Sequence, residues 1–144
     1  MVEQDTIRLL RECDAGVKMG VSSIDDVLDK IKSDRFREVL EKCRDKHLQL
    51  NGEIQTKLEQ FGDDGKDPSA VAKGMSWMKT NVKLAVDPSD ERIADLMTDG
   101  CNMGVKSLHK YLNQYKAADE GSKRVTKKLI DLEEKLAIDM RSYL

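Results

Sequence analysis

Proline occurs only twice in this chain of 144 residues, aromatic side chains make up 4% of it, and no apolar run is long. The first two shortages exclude a sandwich or barrel, whose many turns and compact cores draw on those residues. The third excludes a membrane-spanning helix, which needs about 20 consecutive apolar residues. Cysteine is scarce as well: three, an odd number, in no Cys-x-x-Cys arrangement. That leaves no disulfide framework and no structural zinc knuckle. The amino-terminal stretch has no basic segment followed by an apolar one, so a reducing, cytoplasmic setting is expected. Excess charge of one sign is also missing, with 25 Lys and Arg against 27 Asp and Glu. A polyanionic partner such as nucleic acid is therefore not expected. The basic group Lys123, Arg124, Lys127 and Lys128 is followed by Asp131, Glu133 and Glu134, which reads as the solvated face of a helix.

What the chain does have is charge, 36% of its residues, interleaved with apolar positions at helical spacing. This length suits a single domain, residues 1–144, burying about two-thirds of its extended-chain surface. Two stretches echo each other 88 residues apart: Cys-Asp-Ala-Gly-Val-Lys from Cys13 and Cys-Asn-Met-Gly-Val-Lys from Cys101. Each lies in a long amphipathic pattern followed by a short break and a second one. The expected fold is all-α: a helix pair used twice, in a four-helix bundle.

Helix A is expected near 5–32, with the seam Ile7, Leu10, Asp14, Val17, Val21, Ile24, Leu28 and Ile31 in steps of three and four. Ser33 or Asp34 can cap helix B, near 34–61, so the A–B turn is tight and the pair antiparallel. Helix B repeats the pattern through Phe36, Leu40, Cys43, His47, Leu50, Ile54, Leu58 and Phe61, and stops at Gly62. Asp-Pro-Ser triplets at Asp67 and Asp87 are helix-start signals. The first opens a short helix within 68–86 and the second opens helix C, near 89–116. Helix C carries Ile93, Met97, Cys101, Val105, Leu108, Leu112 and Tyr115. Helix D, near 121–143, starts at Ser122 and carries Val125, Leu129, Leu132, Leu136, Met140 and Tyr143. Short link, long link, short link predicts one crossover, with B and C parallel. The crossover concentrates Trp77, Met75, Met78, Val82 and Val86, more apolar surface than one face of a short helix can bury. A homo-oligomer with its contact near Trp77 is expected from that excess, against the alternative that Trp77 seals the chain's own core.

In this order the motifs resemble the uncharacterised bacterial ferritin-like domains that begin with a Cys-x-x-Gly helix. Cys13 to Gly16 is similar to the opening motif and Leu58-Glu59-Gln60-Phe61-Gly62 to the end of helix B. Ala70-Val71-Ala72-Lys73-Gly74 with Trp77-Met78-Lys79 is similar to the crossover, and Gly100, Gly104 and Tyr111 to helix C. The resemblance covers nearly the whole chain. It implies a ferritin-like bundle and self-association, and it carries no established activity. Asn102 and Met103 depart from it, standing where acidic residues are usual in the third helix.

A di-iron centre in such a bundle needs a Glu from each of two helices and Glu-x-x-His from each of the others. Here Arg44 stands three residues before His47, and the expected helix D has no histidine. Its nearest analogue is Asp131-x-x-Glu134, away from the seam leucines. Helix A offers Asp14 and helix C offers Cys101 or Asn102. Asp14 lies 19 residues before Ser33 and His47 lies 14 after it, a stagger of roughly 7–8 Å at about 1.5 Å per residue. Cys43 and His47, four apart on one face, could join Cys101 in a softer site. Asp14, Cys43, His47 and Cys101 are thus the candidates should iron or zinc be bound, while structural roles for buried Cys, His and Asp carry more weight. A Cys43–His47 nucleophile is opposed by its setting mid-seam, and His109 reads as a boundary residue. Gly16, Gly20, Gly52, Gly100 and Gly104 fall inside helices, at a cost of about 1 kcal/mol each, and suggest a close approach of helices A and C. The reading is a non-enzymatic ferritin-like bundle without a cofactor, serving structure or protein interaction. The competing class is a metal-binding ferritin-like protein with iron storage or oxidoreductase chemistry.

Overall fold

The computed structural model describes residues 2–66 and 89–144, and every long element among them is an α-helix. α1 (Val2–Leu28) and α2 (Asp34–Glu59) form one hairpin; α3 (Asp90–Gln114) and α4 (Glu120–Asp139) form the other. A 3-10 turn, Arg141–Tyr143, ends the chain, so helix D stops earlier than its pattern suggests. Its Tyr143 ring stacks on Phe36 with centroids 4.5 Å apart. Ser33 and Ser89 cap α2 and α3 by accepting from the amides of Phe36 and Arg92. α4 begins two residues before the expected Ser122, because the Asp119 carboxylate accepts from the Ser122 amide at 2.7 Å. Asp caps as well as Ser, and its use puts Ser122 inside the first turn, where it is buried.

The core fixes the helix directions. One apolar cluster joins Ile24 and Ile31 to Phe36 and Leu40, Ile93 and Met97, and Leu136 and Met140. The other joins Leu10 and Val17 to Leu50 and Leu58, Leu108, and Val125 and Leu129. The end of α1, the start of α2, the start of α3 and the end of α4 therefore share one end of the bundle. Each hairpin is antiparallel, and α2 runs parallel to α3. α1 packs against all three other helices, whereas α2 and α3 occupy far corners. Each short turn is held by a helix of the other hairpin: Asp90 accepts from the Lys32 and Ser33 amides, both at 2.8 Å. Asp5 accepts from the Ala117 amide at 3.0 Å, and the Thr6 hydroxyl from the Asp119 amide at 2.8 Å.

The α2 seam is buried as predicted from Phe36 to Leu58, with Phe61 half-buried. On α1 the buried stripe is wider than the predicted one: Thr6, Leu9, Cys13 and Val27 are buried, while Ile7, Val21 and Leu28 are only half so. An ideal helix drifts about 20° per heptad against a strict three-four seam, and a helix touching three neighbours buries the residues on both sides of that line. The expected crossover helix, with Trp77, Met75, Met78, Val82 and Val86, and the self-association contact assigned to it lie outside the described residues. Among the described residues no helix is long and apolar enough to cross a membrane.

Candidate functional site

A cavity of about 380 Å³ lies between α1 and α3. Gly16 and Gly20 line it from one side, Gly100 and Gly104 from the other. The recurring glycines thus line a cavity between the two helices. Their second effect is local. A Cβ on Gly20 would stand 2.9 Å from Nε2 of His47, and one on Gly104 would stand 2.0 Å from Oε2 of Glu133. Both distances are below any real carbon contact, so each missing side chain is the seat of a buried polar one. Gly52 is different: an added Cβ meets nothing within 4 Å, so the packing reason expected for every helical glycine does not hold there.

These two positions make a paired test. Gly52→Ala is expected to stabilise the protein by about 0.5–1 kcal/mol, the helix-interior advantage of alanine. Gly20→Ala gains the same propensity but strikes the His47 ring, and a net loss of about 1–3 kcal/mol is expected. Urea unfolding of both variants checks the contrast. Equal gains would show that the ring yields freely.

His47 is buried, and its Nδ1 lies 2.8 Å from the Cys43 carbonyl oxygen. A carbonyl only accepts, so Nδ1 carries the proton and donates. Burial lowers the imidazole pKa, which keeps the ring neutral at pH 7. In that tautomer Nε2 is a bare acceptor, turned toward Gly20 at the cavity wall.

Glu133 is 8% exposed, and its Oε2 has no hydrogen-bond partner among the described residues. Burial in apolar surroundings pushes the carboxyl up to about 8. Sequence reading placed Leu132 in the seam here and Glu133 on the wet face; the structure reverses them, with Leu132 half-buried. Both positions fit a seam between Leu129 and Leu136, one as three then four, the other as four then three. Apolarity favoured Leu132, and the only signal for Glu133 was Gly104, whose missing side chain makes room for it.

The rest of the buried lining is Ile24, Met97, Leu108 and Leu136, with the Cys101 thiol. At the mouth the Lys66 ammonium pairs with Glu12 at 2.6 Å, near Tyr111. All three cysteines are buried and free. Burial pushes Cys13 and Cys43 up to about 12 and raises Cys101 too. Such thiols stay protonated at pH 7 and make poor nucleophiles and metal ligands. Thr126 spends its hydroxyl proton on the Ser122 carbonyl at 2.9 Å, so Cys13 donates to the Thr126 oxygen at 3.1 Å. Cys13 and Cys101 share a motif but not an environment.

Asp14 is buried elsewhere. It accepts from Gln55 Nε2 at 2.6 Å, from the Lys66 amide at 2.9 Å and from Lys18 Nζ at 3.0 Å. Gly65, at φ +90°, is its seat, since a Cβ there would lie 2.2 Å from Oδ2. The seam polar residues Asp14 and His47 are both inward and both hydrogen-bonded, while the helix stagger leaves them with separate partners. Among the described residues no three His, Cys, Asp or Glu side chains converge as a metal-binding set.

No family model, curated protein or solved structure matches the chain. The class that fold and site define is a four-helix α bundle with a largely apolar cavity, walled by one neutral imidazole and one carboxyl with an oxygen unpartnered among the described residues.

Proposed function

We propose that this chain is a non-enzymatic, cofactor-free ferritin-like bundle with one crossover, and that it works by binding a small, mostly apolar molecule between α1 and α3. The observation that carries the reading is the cavity of about 380 Å³ with a buried apolar wall. That volume falls in the range of small-molecule sites, roughly 300–1,000 Å³. Protonated thiols and a neutral, carbonyl-bound histidine support binding over nucleophilic catalysis. Support for the crossover comes from the core. α2 ends in the cluster of Leu10 and Val125, and α3 begins in that of Ile31 and Met140. The end of α2 and the start of α3 thus lie at opposite ends of the bundle, separated by the length of α2, about 39 Å for 26 residues.

Fluorescence titration with N-phenyl-1-naphthylamine, an uncharged dye, tests the binding role. One dye per chain is expected to bind the parent. Ala15→Trp, which fills the cavity from α1, is expected to abolish binding while helicity by circular dichroism is kept. Dye that fails to bind the parent, or that binds the variant equally well, sinks the proposal.

A further inference from the structure

The polar groups buried at the cavity wall set the chemistry of its occupant. His47 has committed its one proton to the Cys43 carbonyl and offers only the Nε2 lone pair. Glu133 brings a carboxyl oxygen that no donor reaches among the described residues. Cys101 contributes a thiol, a weak donor at best. The nearest cation lining the cavity, Lys66, sits at the mouth and is already paired with Glu12. Among the described residues the buried wall offers acceptors at His47 Nε2 and, once Glu133 gives up its proton, at the carboxylate. The Ser23, Ser107 and Tyr111 hydroxyls belong to the less buried lining. A ligand completing it must bring N–H donors at one end and an apolar body to lie along Ile24, Met97 and Leu136.

We propose that the cavity takes a primary alkylammonium, its nitrogen donating to Glu133 and His47 and its chain lying along the apolar wall. The proposal rests on the binding role given above. A primary ammonium has three N–H donors, enough for both acceptors, and its positive charge compensates a carboxylate removed from water. A metal ion would instead need three or more converging ligands, which the described residues do not supply. Binding exchanges one cation for another: R–NH3+ and the protonated Glu133 carboxyl give the ammonium–carboxylate pair, and one proton leaves to solvent. The titratable groups that line the cavity with Glu133 are His47 from α2, Cys101 and Tyr111 from α3, Glu12 from α1 and Lys66, with Cys43 of α2 close to Glu133 as well. The cysteines and His47 are neutral at pH 7, so the released proton is the carboxyl's own.

The test uses n-hexylammonium, n-hexanol, hexanoate and zinc ion as separate probes on the whole chain. Direct calorimetry near neutral pH, in two buffers of different ionisation heat, reads affinity and protons released. Hexylammonium is expected to bind the parent roughly tenfold to a hundredfold more tightly than hexanol, with release of about one proton per ligand bound. Glu133→Gln is expected to lose that preference and the proton release while keeping its helicity by circular dichroism. Gly104→Ala, whose Cβ takes the space of Oε2, is expected to do the same and serves if the first variant folds poorly. Equal binding of hexanol, tighter binding of hexanoate, or a preference that survives both substitutions overturns the proposal and leaves the cavity as an apolar site. Tight zinc binding that blocks hexylammonium overturns it in favour of a metal site. Failure of the dye and of every probe to bind overturns the binding role itself, whereas dye that binds without a preference for the amine overturns only the present proposal.

Discussion

Glu133→Gln is expected to be more stable than the parent near pH 9 and no different near pH 4, where both states of the parent carry the proton. The carboxyl has an ordinary value of 4.5 and is pushed up to about 8 in the folded chain, by burial alone. Between those values the folded protein holds a proton that the unfolded chain has released. Folding then takes up a proton, so the parent loses stability as pH rises, by about 1.4 kcal/mol per unit. The accumulated loss reaches roughly 4–5 kcal/mol above pH 8 and is absent below the unfolded value. Glutamine cannot ionise and escapes it. Urea midpoints of both proteins, measured across that span, give the difference directly. If the difference stays flat, a cation or ordered water already compensates Oε2 in solution.

Asp14→Ala should show the largest loss that does not depend on a change of pH, about 3–5 kcal/mol, as for other broken buried ion pairs. Three donors converge on this carboxylate, and its removal strands the Lys66 backbone N–H, worth about 1–3 kcal/mol when unsatisfied, and leaves the Gln55 amide with Asn51 alone. The third, Lys18, loses its contact with this carboxylate. Because Lys66 follows the turn after α2, the damage extends beyond the core. Arg11 still holds Asp63, but the 65–66 backbone loses its anchor on α1. Hydrogen exchange at the Lys66 amide is expected to speed up more than the global change explains. A loss below about 1 kcal/mol, the worth of one ordinary hydrogen bond, would mean that water replaces the carboxylate.

The all-α class, the four helices and the two tight turns were legible because long three-four periodicities end at Ser and Asp caps. α2 was read almost completely, since Phe36 through Leu58 keep a single apolar line on a helix with one buried face. α1 was read less well: it packs against three helices, and the drift that buries Leu9 and Val27 follows from neighbours the sequence does not name. Of the candidate residues, Asp14 and His47 were found as polar interruptions of an apolar line. Glu133 was hidden because apolar Leu132 beside it satisfies the same spacing. Gly104 marks the place but does not say which helix fills it. The cavity itself was illegible for a related reason. Glycines that recur every four residues can bring helices together or leave room between them, and the choice depends on what the other two helices insert.

His47, Asp14 and Glu133 each rest against a glycine of another segment, and this couples the ways the chain can change. A methyl group at residue 104 is harmful while the carboxyl is in place. Once Glu133 has become a smaller residue, the same methyl has only helix propensity to act on and turns favourable. The order of substitution therefore decides its sign: the polar tenant has to leave before its seat can be filled. Two such locks, at Gly20 and Gly104, make the polar interior harder to erode one step at a time than its hydrogen bonds alone would, while Gly65, at φ +90°, disfavours a side chain whatever becomes of Asp14.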